Sequence, residues 1–326
     1  MKHISILVPE DGILATIDNP RFIFTMVNEV LVAQGKDPFF EVNFVSFTRN
    51  VKLQKNSFTV HVDLLTDEIR KTDLIIMPAL FGDIPAALEK NKPFIPWIIE
   101  QYRNGAEVAS LCTGAFFLAA TGLLNGKQCS THWQSAHAFR EMYPEVNLVA
   151  DRVITDDQGI YSSGGANSHW NLLLYLVEKY VDRPMAIQAS KIFSLEIERT
   201  SQSVFIMFNG QKGHEDEPVK KAQEFIEVNL SEKLSVEDLA VKFAIGRRHF
   251  ERRFKKATNN TPIEYIQRVR IEAAKRTFET SVKNVNEVMY EVGYADGKAF
   301  RSIFKRFTGL SPMQYRNKYN KLAAAS

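Results

Sequence analysis

Cysteine is scarce: Cys112 and Cys129 are the two in 326 residues. Two cannot build a disulfide framework, and such a count points to a reducing compartment. Long apolar runs are missing. Stretches such as Leu74–Phe81 stop far below the roughly 18 residues a membrane span requires, and the first apolar run ends at Pro9-Glu10, too early for a secretion signal. The expectation is a soluble, cytoplasmic protein with no membrane partner. The seven histidines show no metal-ligand spacing with cysteine or carboxylates, so neither a metal nor a cofactor is expected. A composition of 45% hydrophobic and 24% charged residues excludes disordered and collagen-like chains. The length calls for two domains.

Net charge is only +3, but it is unevenly spread. From Lys212 onward there are 23 Lys and Arg against 15 Asp and Glu, a net of +8. The first 211 residues carry 18 against 23, a net of −5. An acidic body with a basic tail suggests a nucleic-acid partner for the second part.

The acidic part alternates two kinds of segment. His3–Val8, Val42–Phe47, Asp73–Met77 and Val108–Cys112 are short apolar runs, whereas Arg21–Val32 and Pro93–Tyr102 have helical spacing. Residues 147–163 read as a hairpin turning at Asp156–Gly159, followed by helices over 167–180 and 184–193. This alternation predicts an α/β fold, a flavodoxin-like parallel sheet sandwiched between helices. The stretch 208–218 has two glycines, a proline and no periodicity, and is expected to be a linker between domain 1–207 and domain 219–320. After it the pattern is all helical. Leu322–Ser326 reads as a frayed helix end or the remnant of a tag.

The tail repeats itself at an offset of 50 residues. Phe250 falls on Phe300, Phe254 on Phe304, Lys255 on Lys305, Thr258 on Thr308, Pro262 on Pro312 and Tyr265 on Tyr315; Glu237 falls on Glu287. Two copies make a duplicated supersecondary unit. Each copy reads as a helix-turn-helix. The first has a helix capped by Ser235, a turn at Ala244–Gly246 and a second helix over 247–257; the second turns at Gly293–Asp296 and continues over 297–307. Phe250 and Phe254 face inward, as do Phe300 and Phe304. The outer faces then carry Arg247, Arg248, Glu251, Arg252 and Lys255 in one copy, and Gly297, Lys298, Arg301, Ser302 and Lys305 in the other. A helix in the major groove needs long donors for base edges and cations for phosphates. Residues 247–256 hold six basic residues and one acid, which suits both tasks.

Over about residues 218–320 the chain resembles the AraC/XylS transcription regulators. The matching residues include Phe250-Glu-Arg-Arg-Phe254-Lys255, Thr261-Pro262, Arg268-Val-Arg270, Val292-Gly293-Tyr294 and Thr308-Gly-Leu-Ser-Pro312-Met-Gln-Tyr315. The resemblance implies that a long helix over Pro262–Glu279 joins two motifs reading successive major grooves of double-stranded DNA, ~34 Å apart. It also implies RNA polymerase as a partner. Two positions depart from the pattern. Asn259 stands where the family usually has Gly, a substitution that a left-handed turn tolerates. Ser302 stands where it usually has Arg, with Arg301 one place earlier, so the second motif is expected to contact bases less, or differently.

In the first part, Val108–Phe117 runs from strand to helix with Cys112 at the junction. This is a nucleophile-elbow arrangement, in which a helix N-terminus lowers a thiol pKa; His132 is the candidate base. Residues 1 to about 200 resemble the PfpI-like, class I glutamine-amidotransferase-like domains through Cys112-Thr-Gly-Ala, Ala120–Gly126, Ser130-Thr-His-Trp133 and Thr155–Gly165. In catalytic members a carboxylate lies four residues before the proline opening the first long helix. Here that position is Thr16, counted back from Pro20. The loop that forms the oxyanion hole is Pro78-Ala-Leu-Phe-Gly82, with Gly82 its one glycine.

The combined layout resembles the GlxA-type amidase-like regulators. It implies a non-catalytic first domain that dimerises and senses a small metabolite, with Cys112, Thr113, His132, Gly82 and Thr16 lining the pocket. The expected function is therefore a sequence-specific DNA-binding regulator, a homodimer and an activator rather than an enzyme. The alternative is a cysteine-dependent hydrolase or deglycase-like enzyme with a DNA-tethering tail. Ser162–Gly165 reads as a tight turn beneath the pocket, and Trp97, Trp133, Tyr143 and Trp170 as core or interface.

Overall fold

Four apolar runs with β-branched and aromatic side chains become adjacent parallel strands because both of their faces are covered. In the computed structural model, which describes residues 1–54, 56–197 and 200–320, the chain divides into two units, Met1–Gln202 and a second beginning at Ser203. Leu322–Ser326 lies outside the described residues.

The first unit runs β1 (Lys2–Leu7), α1 (Leu14–Ala33), β2 (Phe40–Ser46), β3 (Asn50–Leu53), β4 (Phe58–His61), β5 (Leu64–Leu65), β6 (Leu74–Met77), α2 (Ile84–Asn91), α3 (Phe94–Arg103) and β7 (Glu107–Leu111). It continues with α4 (Gly114–Ala120), β8 (Gln128–Cys129), α5 (Ala136–Met142), β9 (Asn147–Leu148), β10 (Ile154–Asp157), β11 (Ile160–Ser163), α6 (His169–Tyr180) and α7 (Arg183–Ile192). The main sheet has the order β10-β11-β7-β6-β1-β2-β5. Its pairings are parallel except for the hairpin β10–β11, which turns on Gln158 and Gly159, both at positive φ. One face packs on α1, α6 and α7, the other on α2 to α5, giving the expected three-layer sandwich.

Two local expectations change. Pro20 does not open α1: the helix starts at Leu14 and carries Pro20 in its interior. Residues 147–163 are not one hairpin, since Asn147–Leu148 pairs with β8 in a separate two-stranded sheet.

The second unit is helical: α8 (Glu217–Val228), α9 (Val236–Lys242), α10 (Arg247–Thr258), α11 (Pro262–Thr280), α12 (Val285–Glu291), α13 (Gly297–Thr308) and α14 (Pro312–Tyr319). It has two cores. Phe250, Phe254 and Tyr265 centre one, and Phe278, Phe300, Phe304 and Tyr315 the other. The two halves of α11 contribute to both, so this helix ties the motifs together.

Residues 203–208, which run up to and into the expected linker 208–218, lie against this unit. Val204 packs on the second core and Phe208 on the first, edge-on to Tyr265 at 5.2 Å. The strap is read through its backbone. Lys275 Nζ donates to the Ile206 carbonyl at 2.6 Å, and Phe208 N–H donates to Glu272 at 3.1 Å. Lys275 and Glu272 pair at 2.9 Å with side chains only 5% and 11% exposed, so each depends on the other to tolerate burial.

Candidate functional site

The repeat seen in the sequence is a structural one. The helices α10 and α13 correspond at an offset of 50, and each buries two phenylalanines and a threonine at matching places. Thr258 and Thr308 each donate to the carbonyl four residues earlier, at 2.8 Å in both. Asn259 and Gly309 then take matching left-handed conformations, φ 56° and 77°. Asn259 thus does what glycine does in the copy.

The first helices correspond at an offset of 49, N-capped by Ser235 and Asn284, because the second turn is one residue longer. Glu237 is therefore the structural counterpart of Asn286, and its sequence match with Glu287 has no structural equivalent. The longer turn places Asp296 ahead of α13, where its carboxylate accepts from Lys298 N–H at 2.8 Å; the first recognition helix begins at Gly246 with no side-chain cap.

The outward cations are arranged differently in the two helices. Arg247 donates through Nε to Glu251 at 3.2 Å and through Nη1 to Glu237 on α9. The two carboxylates, Glu251 foremost, hold its guanidinium above its ordinary pKa. Arg252 donates to His249 Nδ1 at 3.2 Å. Arg253, one of the six cations in the sequence run, leaves the outer face: Nε and Nη2 make a two-pronged pair with Asp216 at 2.8 Å each. That contact holds the N-terminus of α8, where Asp216 also accepts from Val219 N–H. Arg248 and Lys255 make no ion pair among the described residues, and neither do Lys298, Arg301 and Lys305. Ser302 lies exposed beside Arg301. Gly297 has Arg301 folded over it, the guanidinium lying 3.2 Å from where a Cβ would stand.

The elbow in the first unit has the expected shape. Cys112 follows β7 at φ 56°, a left-handed conformation that a non-glycine residue adopts only under constraint. A Cβ at Gly114 would meet the carbonyl oxygens of Met77 and Pro78 at 2.6 Å, so α4 requires glycine to approach the loop this closely. The electrostatics run against a nucleophile, however. Burial pushes the Cys112 thiol up to about 11, outweighing hydrogen bonds from Thr113. A thiol shifted in this direction favours its protonated form at neutral pH, the opposite of what the alternative, cysteine-dependent enzyme would need.

Burial also lowers the pKa of His132. Its Nδ1 accepts from Gln134 N–H at 3.2 Å, and among the described residues no hydrogen bond joins it to Cys112.

The loop expected to supply an oxyanion hole uses three of its backbone donors, those of Ala79, Leu80 and Phe81, to anchor itself to the fold. Ala79 N–H donates to Thr16 Oγ1 at 3.0 Å, Leu80 N–H to Thr113 Oγ1 at 3.0 Å, and Phe81 N–H to the Asp11 carbonyl at 2.7 Å. Thr16, in the position where a carboxylate would polarise the thiol, is instead an anchor for this loop. Thr113 grips it from the other side, donating to the Leu80 carbonyl at 2.9 Å. Gly82 closes the loop at φ 81°.

One residue escaped the sequence reading altogether. Gln202, fully buried, donates to the carbonyls of Thr131 and Ala150 and accepts from Gly165 N–H at 2.6 Å. It binds the Gly164–Gly165 turn to the segment bearing His132.

Comparison with known proteins joins the two halves. Residues 26–179 match the DJ-1/PfpI family and residues 239–318 a helix-turn-helix domain. The chain is a DNA-binding transcriptional regulator, a DJ-1/PfpI domain followed by an AraC-type helix-turn-helix domain. This regulator is 26% identical over 265 residues to the HTH-type transcriptional regulator GbdR of Pseudomonas aeruginosa, covering 78% of this chain and 68% of that one. It is 23% identical over 217 residues to GlxA of Rhizobium meliloti, covering 66% and 67%. Among solved structures, a protein from Vibrio parahaemolyticus described as a candidate transcriptional regulator matches 59% of this chain and 98% of its own at 25% identity, with a TM-score of 0.52. The regulator has no helix among its described residues that is long and apolar enough to cross a membrane, and no cluster of three or more His, Cys, Asp or Glu suited to a metal.

Proposed function

We propose that this regulator binds promoter half-sites with α10 and α13 in adjacent major grooves, and that it acts as a homodimer whose first domain receives a small-molecule effector. Arg248, Arg252 and Lys255 are its contacts in one groove, and Lys298, Arg301, Ser302 and Lys305 in the other, with Gly297 opening the second helix to the backbone. The observation that carries the reading is the duplicated helix pair with its outward cations unpaired at corresponding places, Arg248 with Lys298 and Lys255 with Lys305. Such donors suit phosphates on both flanks and base edges between them.

In the first domain, Cys112 and His132 face the effector, and Thr16, Thr113 and Gly82 shape the loop beneath it. Turnover is not part of the proposal. The protonated thiol and the three loop donors used as anchors speak against it. The resemblance to AraC-type regulators adds activation through RNA polymerase.

Selection of bound fragments from genomic DNA at physiological salt, against random competitor, tests the reading. One enriched motif with two contacts about one helical turn apart is the expected result. Binding that stays non-specific and collapses as salt rises would sink it, and the reactivity of Cys112 would then become the question.

A further inference from the structure

The two recognition helices carry opposite charge at one corresponding position. Glu251 in α10 stands where Arg301 stands in α13, each four residues after the first helical residue and on the flank of the helix, one residue past a buried phenylalanine. Glu251 is also held in place. Arg247 donates to its Oε1 at 3.2 Å while reaching back to Glu237 on the preceding helix. The clamp spans both helices of the motif and engages one oxygen of Glu251, leaving Oε2 with no hydrogen bond among the described residues. The second motif has no such clamp, because the residues at the corresponding places are Gly297 and Asn286.

We propose that Glu251 is a further base-reading residue of the first motif, beside the cationic contacts already named, that it takes cytosine, and that Arg247 is a positioning residue rather than a contact of its own. This rests on the DNA-reading role proposed above. A carboxylate can only accept. In the major groove cytosine offers its N4 amino donors, whereas adenine sets an N7 acceptor beside its N6 donors, and guanine shows two acceptors. An acceptor-only side chain is therefore repelled by part of every base edge except that of cytosine. Arg301 has the inverse chemistry, a two-pronged donor matched to guanine O6 and N7. The two grooves are thus asked for complementary bases at the same place in the repeat.

An acidic reader in a basic helix needs a reason to stay extended toward phosphate-rich DNA. Arg247 supplies it, sharing one positive charge between Glu251 and Glu237.

The test is binding-site selection on the full chain, comparing wild type with Glu251→Gln, Glu251→Ala and Arg247→Ala, each matched for thermal unfolding. Wild type should enrich cytosine at one position of one half-site. Glu251→Gln should move that position to adenine, because an amide can both donate and accept. Glu251→Ala should flatten it, losing about tenfold in discrimination. Arg247→Ala should weaken the same position and no other, and Arg247→Lys should restore it in part.

An unchanged motif in Glu251→Gln, or a different position altered by Arg247→Ala, would overturn the assignment while leaving the regulator intact. Absence of any enriched motif in wild type would overturn the DNA-reading role itself, and this assignment with it.

Discussion

In α10 three of the six cations are held by neighbours: Arg247 by Glu237 and Glu251, Arg252 by the His249 ring, Arg253 by Asp216. In α13, Lys298, Arg301 and Lys305 are exposed and make no ion pair among the described residues, Arg301 lying folded over Gly297. Underneath, the two helices are nearly the same object, with the same buried phenylalanines, the same threonine bonding back to the preceding turn and the same left-handed exit. What has diverged most lies off the core, although the exposed Lys255 and Lys305 are kept in both copies. A buried ring is constrained by neighbours on every side at once, while an exposed side chain is constrained by whatever partner it meets. Duplication therefore preserved the scaffold and left the surfaces free to specialise.

The equivalence of the scaffolds is tested most severely by Phe254→Ala and Phe304→Ala. Each ring is fully buried, so each substitution should cost about 3–5 kcal/mol in chemical denaturation of the full chain. Similar losses are expected, and a clearly smaller loss at one site would mean that its core can collapse around the gap.

The divergence of the surfaces predicts a smaller effect. Arg301→Ala should cost about 1–3 kcal/mol on the selected site and much less on random DNA. Equal losses on both, read by titration at one salt concentration, would make Arg301 a phosphate contact. Lys298→Gln and Lys305→Gln should each reduce the slope of log affinity against log salt by about 0.9. Arg247→Gln should leave that slope nearly unchanged, since its charge is already shared with two carboxylates.

The smallest effect is expected at the elbow. Cys112→Ser should leave specific DNA binding as it was, while alkylation of Cys112 in the wild type should stay slow at neutral pH and accelerate toward about 11. The buried thiol binds its proton more tightly in the fold than in the open chain. The stability this contributes is fully present below about 9 and lost as the pH rises toward 11. A rate that saturates near pH 7 would instead reveal an activated thiolate.

Much of the architecture could be read from the chain because it is local. Leu74–Met77 is apolar throughout and became a central strand, and the spacing of Phe250 and Phe254 reappears intact 50 residues later. The antiparallel pair β3–β4 went unread, since Lys52 and Thr59 interrupt its apolar residues and its turn depends on the left-handed Gln54 and Asn56. Pro20 was expected to open α1, although the first turn had already formed around Thr16.

The site was legible as a face but not as a set of free charges. Whether Arg253 points to solvent is decided by Asp216, 37 residues away, and whether Arg247 is free is decided by Glu237. Neither distance carries a periodic signal. Cys112 is the sharpest case. Strand, turn and helix all announce an elbow, while burial, which no spacing records, reverses the sign of its pKa shift.

The strap that precedes α8 bears on how the molecule can be divided. A DNA-binding piece cut at residue 219, where the helical pattern begins, would discard Phe208 and the Ile206 carbonyl. That would open the side of Tyr265 to water and leave Lys275 with one partner instead of two. A piece beginning at Ser203 keeps them. Residues 203–208 are thus the outermost layer of the helical unit rather than slack chain ahead of it.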